Sequence, residues 1–323
     1  MTALPRVSIL LVTKNGVHYL AEVLDGIGRQ RGRFRLEEII AVDSGSRDGS
    51  VEILRKAGAR VMTIPAAAFG HGKTRNLAAS HACGDYLVFL TQDATPATAD
   101  WLENLLAPLV ADPLVVGAYS RHTPRPSCHP MEWRRIVQEE LTGMPDSRVN
   151  SRVGNADYER NPAFFYFFAN TSSVIRHSTW RDVPWPEVEF GEDQLWAKRI
   201  LEAGYKTAYC ADSVVYHSHS YGPWANFRRH FDHVAALHQE AGQPPPSRLA
   251  ACVPAAARTA RTDLAFWARE RGQTRTQVVC RWALPALGWH LAARLGIWCG
   301  ERADTFPAWL QTWFSYQAHL KSQ

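Results

Sequence analysis

A strand–loop–helix rhythm recurs along the first third of the chain, and it leaves few folds open. VSILLVT (Val7–Thr13) is a continuous apolar, β-branched run, the pattern of a strand buried on both faces. Lys14-Asn15-Gly16 ends it, and Tyr19 to Arg29 then places Leu20, Val23, Leu24 and Ile27 on one helical face. Glu37–Ser50 is a second strand running into a turn-rich loop, where Asp48 or Ser50 can cap a helix from Val51 to Ala57. Ala59–Pro65 is a short third strand, Lys73 to Ala82 reads as a helix, and Asp85–Ala94 supplies the most apolar strand. Strands alternating with helices predict an α/β fold with a doubly wound parallel sheet. Ligands in such sheets bind beyond the carboxyl ends of the strands.

Further along, the pattern loosens. From about Tyr119 to Asn161 the chain is rich in Arg, Pro and Ser, with room for a helix at Glu132 to Leu141 and then a loop. Phe164–Arg176 is strand-like, the segment from Glu192 is a helix ending at Gly204, and Thr207–Ser220 is extended. Gln243 and the three prolines after it mark a boundary. The expected division is a nucleotide-binding domain over 1–243 and a helical extension, rich in Ala, Arg and Trp, over 248–323. A chain of 323 residues, 46% hydrophobic, suffices for one large core and such an appendage.

The net charge of +5, from 36 Lys+Arg against 31 Asp+Glu, is too slight to indicate nucleic acid. It suits an anionic small molecule or an acidic membrane surface. Six cysteines without a C-x-x-C pair indicate neither a disulfide framework nor a zinc site, as expected of free thiols in a reducing cytoplasm. The first apolar run, Val7 to Val12, is too short for a signal peptide and reads as a strand. The best membrane-span candidate, Trp282 to Cys299, is interrupted by Pro285, His290 and Arg294.

The residues with chemical potential cluster at strand ends. Asp43 closes the second strand and Asp48 follows it. Either carboxylate can accept a hydrogen bond from a uracil or thymine imide or from a ribose hydroxyl, and Asp48 reads equally well as a turn or cap residue. Asp93, closing the strongest strand, can ligate a divalent ion that bridges a diphosphate. The loop Phe69–Asn76 sets two glycines, His71, Lys73 and Arg75 before a helix, an arrangement suited to a pyrophosphate or an anionic acceptor. It is neither a Walker loop nor a dinucleotide fingerprint. Glu192-Asp193 opens a helix, where the dipole favours the anion and a dry pocket would raise the pKa again; capping alone also explains the pair. His217 and His219, two apart on an extended segment, point to the same side and offer imidazole ligands, or are simply surface histidines.

Taken together and in order, these motifs resemble a family 2 inverting glycosyltransferase of the GT-A fold, over roughly Val7 to Ser220. The carriers are VSILLVTKNG, AVDSGSRDGS, the loop ending in Arg75-Asn76, the strand-end Asp93 and GEDQLWAKRILEAGY. FGHGKTRN, LTQDA, VVYHSHSY, LGWHLAARLG and FSYQAHL are similar to the bacterial rhamnosyltransferase branch. The resemblance implies a mixed, mostly parallel sheet flanked by helices. It assigns Asp193, with Glu192 beside it, to base catalysis. It assigns Thr13, Asn15, Asp43, Asp48, His71, Lys73, Arg75, Asn76, Thr91 and Gln92 to the donor, and Asp93 with His217 or His219 to Mg²⁺ or Mn²⁺. Thr91 stands where the common motif has its first Asp. The implied activity is transfer of a sugar, L-rhamnose from dTDP-L-rhamnose, to a glycan or lipid-linked acceptor of a bacterial surface polysaccharide. The alternatives are a UDP-hexose donor or a catalytically idle sugar-nucleotide-binding scaffold. Arginines and tryptophans after Arg248 suit the cytoplasmic face of the membrane, or else a homodimer interface.

Overall fold

The computed structural model describes residues 3–188, 191–238, 247–316 and 318; the Gln243–Pro246 boundary and most of the terminal QAHLKSQ lie outside the described residues. In chain order the elements are β1 (Arg6–Thr13), α1 (Val17–Gly28), β2 (Arg35–Asp43), α2 (Ser50–Lys56), β3 (Arg60–Thr63), α3 (His71–Ser80), β4 (Tyr86–Thr91), β5 (Thr95–Pro96), α4 (Trp101–Ala111), β6 (Val115–Thr123) and α5 (Pro130–Arg134). There follow β7 (Arg148–Ser151), α6 (Pro162–Phe165), β8 (Ser172–Arg176), α7 (His177–Asp182), α8 (Glu192–Glu202), β9 (Lys206–Tyr216), α9 (Pro223–His238), α10 (Cys252–Glu270), α11 (Arg275–Gly300) and α12 (Ala308–Phe314). They form two compact units: one of residues 1–125 and 136–217, the other of residues 126–135 and 218–323.

The first unit is an α/β fold around one sheet ordered β3-β2-β1-β4-β8-β6-β9-β5, with β7 also pairing with β9. Pairing is parallel through β3-β2-β1-β4 and between β6 and β9, and antiparallel where β8 enters between β4 and β6. The apolar runs are the buried strands expected: Val7, Ile9, Leu11, Leu87, Val88 and Leu90 are essentially inaccessible. From β1 the chain moves outward to β2 and β3, then returns to β1's other side as β4. Beyond the carboxyl ends of β1 and β4 this reversal opens the crevice in which open α/β sheets bind ligands. Register sets Thr13 opposite Asp43 and Val12 opposite Thr91, so the strand-end residues rim that crevice together.

Two segments differ from the expectation. Only Ser172–Arg176 of the strand-like run at 164–176 is strand; Pro162–Phe165 is a helical turn, begun by a proline whose fixed φ suits the first helical position. Its aromatic neighbour Phe168 packs into the core against Trp185 and Trp196 rather than alternating along a ladder. The helix expected from Glu132 to Leu141 begins at Pro130, where the His129 ring accepts the Glu132 N–H, and widens into a π-turn over Arg135–Glu139.

The second unit is helical. Thr274 and Gln277 form a capping box that starts α11. Gly296 lets α11 approach α9 closely, because a Cβ there would sit 2.3 Å from the Phe227 carbonyl. The fully buried Asp263 on α10 accepts from Arg134 and sits 2.6 Å from His290 Nε2. Among the described residues, no helix is long and apolar enough to cross a membrane.

Trp196 is the pin of α8 against the sheet: it is wholly buried, packs on Trp185 and Phe168, and donates Nε1–H to the Val183 carbonyl at 2.9 Å. Trp196→Ala is expected to cost about 3–5 kcal/mol in urea unfolding.

Candidate active site

The floor of the crevice is a set of loops locked to one another. Gln92, just past β4, accepts from Thr13 Oγ1 at 2.6 Å and from the Lys14 N–H at 2.8 Å, and donates to the Lys14 carbonyl at 3.0 Å. Asn15 adopts a left-handed conformation (φ 49°), which Asn tolerates better than most side chains. It joins the loop after β1 to that after β2, donating its N–H to Ser46 Oγ and accepting the Arg47 N–H. A Cβ at Gly16 would lie 2.5 Å from Gln92 Oε1, so a side chain there would push the Gln92 amide off its loop bonds. Asp43 is 1% exposed; its carboxylate accepts the N–H groups of Gly45 and Ser46 and the Ser46 hydroxyl. Asp48 accepts from the Val17 N–H at the start of α1 and from the N–H and hydroxyl of Ser50. Burial opposes ionisation of Asp48, but the bonds from Ser50 and Val17 prevail and hold its pKa below the usual value. Both carboxylates thus shape the loops as well as edging the crevice.

A second group joins α3 to α8. Arg75, 5% exposed, donates to Glu192 Oε1 at 3.1 Å and to the His71 carbonyl at 3.1 Å. Burial lowers the Arg75 pKa, and the charges of Glu192 and Asp193 oppose that shift. The His71 ring is held below its usual pKa by burial and then by Arg75, with Glu192 opposing, so it is neutral at pH 7. Asn170 completes the group: its amide donates to Glu192 Oε1 at 3.3 Å, its backbone N–H to Asp193 Oδ2 at 3.1 Å, and its own Oδ1 is fixed by Ser173. Asp193, in the first turn of α8, also accepts the Gln194 N–H. Burial first, and the neighbouring Glu192 charge second, push Asp193 up to about 6, against the pull of those two N–H groups and of Arg75. The competition between helix terminus and dry surroundings is settled in favour of the surroundings.

Asn76 is committed elsewhere. Its amide donates to the Trp185 carbonyl and accepts from the Trp180 indole and the Trp185 N–H, holding the stretch before α8. Gly72 lies against the same stretch; a Cβ there would meet the Pro186 carbonyl at 2.1 Å. Lys73 is exposed and lines a hollow of about 400 Å³ with Asn76, Trp180 and Glu187.

The third group surrounds Asp93. Its carboxylate is 3.8 Å from His217 Nε2, both side chains being about one-fifth exposed. A carboxylate oxygen and an imidazole nitrogen at that separation fit two ligands of one divalent ion. His122 on β6, 5% exposed, packs edge-on to His217 with ring centroids 5.1 Å apart. Arg125 fixes the Asp93 backbone: it donates to the Asp93 carbonyl and Thr95 Oγ1 at 2.9 Å, pairs with both oxygens of Glu22, and lies over the Tyr19 ring. Thr91 bonds through its N–H to the Thr171 carbonyl. His219, two residues beyond His217, stacks on Tyr221 at 5.0 Å. No local pattern marks Asn170, His122 or Arg125 in the sequence: Asn170 follows an aromatic run, and Arg125 lies in a stretch of low periodicity.

An α/β crevice edged by strand-end carboxylates, with a Glu-Asp pair at a helix start, has counterparts among known proteins. The sequence model described as glycosyl transferase family 2 matches residues 8–169. The O-antigen chain rhamnosyltransferase RfbN of Salmonella typhimurium is 32% identical over 231 residues, spanning 70% of this chain and 71% of RfbN. The corresponding enzyme WbaN of Salmonella anatum is 32% identical over 198 residues, or 60% of this chain and 61% of WbaN. Among solved structures, the mannosyltransferase PcManGT of Pyrobaculum calidifontis, in complex with GDP-Man and Mn²⁺, shares the fold. Its TM-score is 0.54 at 21% identity, over 94% of this chain and 89% of that one. The chain belongs to glycosyl transferase family 2. It is a glycosyltransferase of GT-A architecture with a helical C-terminal region.

The Arg75–Glu192 pair yields a stability test. Removing one partner leaves a buried charge uncompensated, so Arg75→Met is expected to lose about 3–5 kcal/mol in denaturant unfolding. The double variant Arg75→Met/Glu192→Gln should recover much of that loss, which a double-mutant cycle measures.

Proposed function

We propose that this enzyme transfers L-rhamnose from dTDP-L-rhamnose, with inversion, to a hydroxyl of a glycan or lipid-linked acceptor in bacterial surface polysaccharide assembly. The observation that carries the chemistry is Asp193: a carboxylate with its pKa raised to about 6 by burial and by Glu192, held in place by two backbone N–H groups. Such a group is ionised at neutral pH and basic enough to accept a proton. The rhamnose donor is supported by the 32% identity to the two Salmonella O-antigen rhamnosyltransferases, and by the FGHGKTRN and LTQDA motifs.

In this reading the nucleoside rests on the interlocked loops at Thr13–Gly16 and Asp43–Asp48. Thr91 and Gln92 lie at the crevice edge, and His71 and Lys73 stand on the α3 side. Asp193 takes the proton of the acceptor hydroxyl as that oxygen attacks the anomeric carbon and the bond to the nucleoside diphosphate breaks. Glu192, paired with Arg75, raises Asp193's basicity by its charge and keeps α8 in register. Asp93 and His217, 3.8 Å apart, would hold Mg²⁺ or Mn²⁺. With an ion bound, these residues would set its charge against that of the departing diphosphate.

Asp193→Asn should reduce transfer by about 10²–10⁴-fold while leaving donor affinity within a few-fold. Because the base must be unprotonated, wild-type kcat/KM should fall tenfold per pH unit below about 6 and level off above it. Retention of that acid limb at full rate in Asp193→Asn would move the base elsewhere. With dTDP-L-rhamnose as donor, turnover should stop in excess chelator and return with Mn²⁺ or Mg²⁺, and Asp93→Ala should abolish it. Efficient transfer from a UDP-hexose, with dTDP-L-rhamnose inert, would overturn the donor assignment alone.

A further inference from the structure

The second unit exposes tryptophan where a helix would ordinarily bury it. On α12, Phe314 turns inward onto Phe227, Phe231 and Phe306, with ring centroids 5.0, 5.5 and 5.8 Å away. Trp309 and Trp313, four residues apart and so on one face, are 70% and 54% exposed. Trp313 meets Trp224 of α9 at 4.8 Å, and Trp224 is itself 41% exposed, stacked on the buried Phe227. Cations accompany these rings. The Arg228 guanidinium lies 5.1 Å over the Trp224 ring and donates to the Trp313 carbonyl, and the exposed Arg229 lies 4.2 Å over Tyr221. Beneath them Phe227, Phe231 and Phe314 pack on one another, while more than half of the surface of Trp309 and Trp313 stays exposed.

Charge says what covers this face. Residues 126–135 and 218–323 contain fourteen Lys and Arg against seven Asp and Glu, a net +7, whereas the rest of the chain has 22 against 24, a net −2. The chain's whole positive excess therefore resides in the unit that carries the exposed indoles. Indole rings settle at the headgroup level of a bilayer, and arginine meets anionic lipid there. Among the described residues, no helix is long and apolar enough to cross a membrane.

We infer that the face formed by Trp224, Trp309 and Trp313 with Arg228 and Arg229 docks onto an anionic phospholipid surface, the indoles entering the headgroup layer. The face uses none of the residues placed in the catalytic crevice, and its test needs neither donor nor acceptor.

The test is flotation of the full chain with vesicles of phosphatidylcholine, with and without phosphatidylglycerol. Wild type is expected to float with the phosphatidylglycerol vesicles at low salt, to be released at high salt, and to remain behind with phosphatidylcholine alone. Trp309→Ser/Trp313→Ser should weaken vesicle partitioning by tenfold or more while keeping the thermal midpoint of wild type. Should that double variant misfold, Trp309→Ser alone serves, with partitioning reduced several-fold. Wild type remaining unbound at low salt, or variants floating like wild type, would overturn the inference. So would a change from dimer to monomer in the variants, seen by light scattering without vesicle binding in wild type; that result assigns the face to a contact between copies of this chain.

Discussion

The buried ion pair between Arg75 and Glu192 is the interaction on which the site's geometry depends. It joins the helix after β3 to the helix that presents Asp193, two elements more than a hundred residues apart in the chain. Placing both charges out of water is costly, and the cost is offset by geometry: Arg75 also bonds the His71 carbonyl, and Glu192 also receives the Asn170 amide. The arrangement is therefore specific more than it is stabilising. One consequence is electrostatic. Glu192 remains a near neighbour of Asp193, and its charge adds to burial in raising the pKa of the proposed base.

The same economy of polar groups governs the crevice. Side chains at the strand ends hold one loop to the next: Gln92 to Thr13 and Lys14, Asn15 to Ser46 and Arg47, Asp48 to Val17 and Ser50. Loops at the carboxyl edge of a parallel sheet lack a ladder to order them, and cross-links of this kind stand in for it. An extended ligand in the proposed donor site would meet a floor whose loops are already ordered. Arg125 does the same for Asp93 from outside the strand, tying its carbonyl to Thr95 and Glu22.

Much of this was legible along the chain. The apolar strands, the residues at their ends, the α8 start at Glu192 and the family resemblance were all visible, because burial on both faces and helix capping leave local signatures. Asn170 left none. It lies at the end of an aromatic run that reads as a strand, and its contribution is a backbone N–H and an amide aimed at residues more than twenty positions away. His122 was equally silent, since its relation to His217 arises only from the parallel pairing of β6 with β9, where His122 faces Val215. Asp43 and Asp48 read as carboxylates at and just past a strand end, but the share of their capacity taken by Gly45, Ser46, Ser50 and Val17 depends on loop conformation.

The linear pattern by itself determined that the chain forms an α/β sheet with acidic residues at its carboxyl edge, because periodicity and strand-end chemistry are local properties. It also determined a helical, tryptophan- and arginine-rich tail. Tertiary structure alone decided the ionisation of Asp193, since a helix N-terminus lowers a carboxylate's pKa and a dry neighbourhood with Glu192 raises it, and only the packed surroundings set the balance. It alone decided, too, which tryptophans of the tail are core and which are surface. Trp267 and Trp289 are buried while Trp309 and Trp313 are not, a difference that rests on which helices pack together and that no residue type encodes.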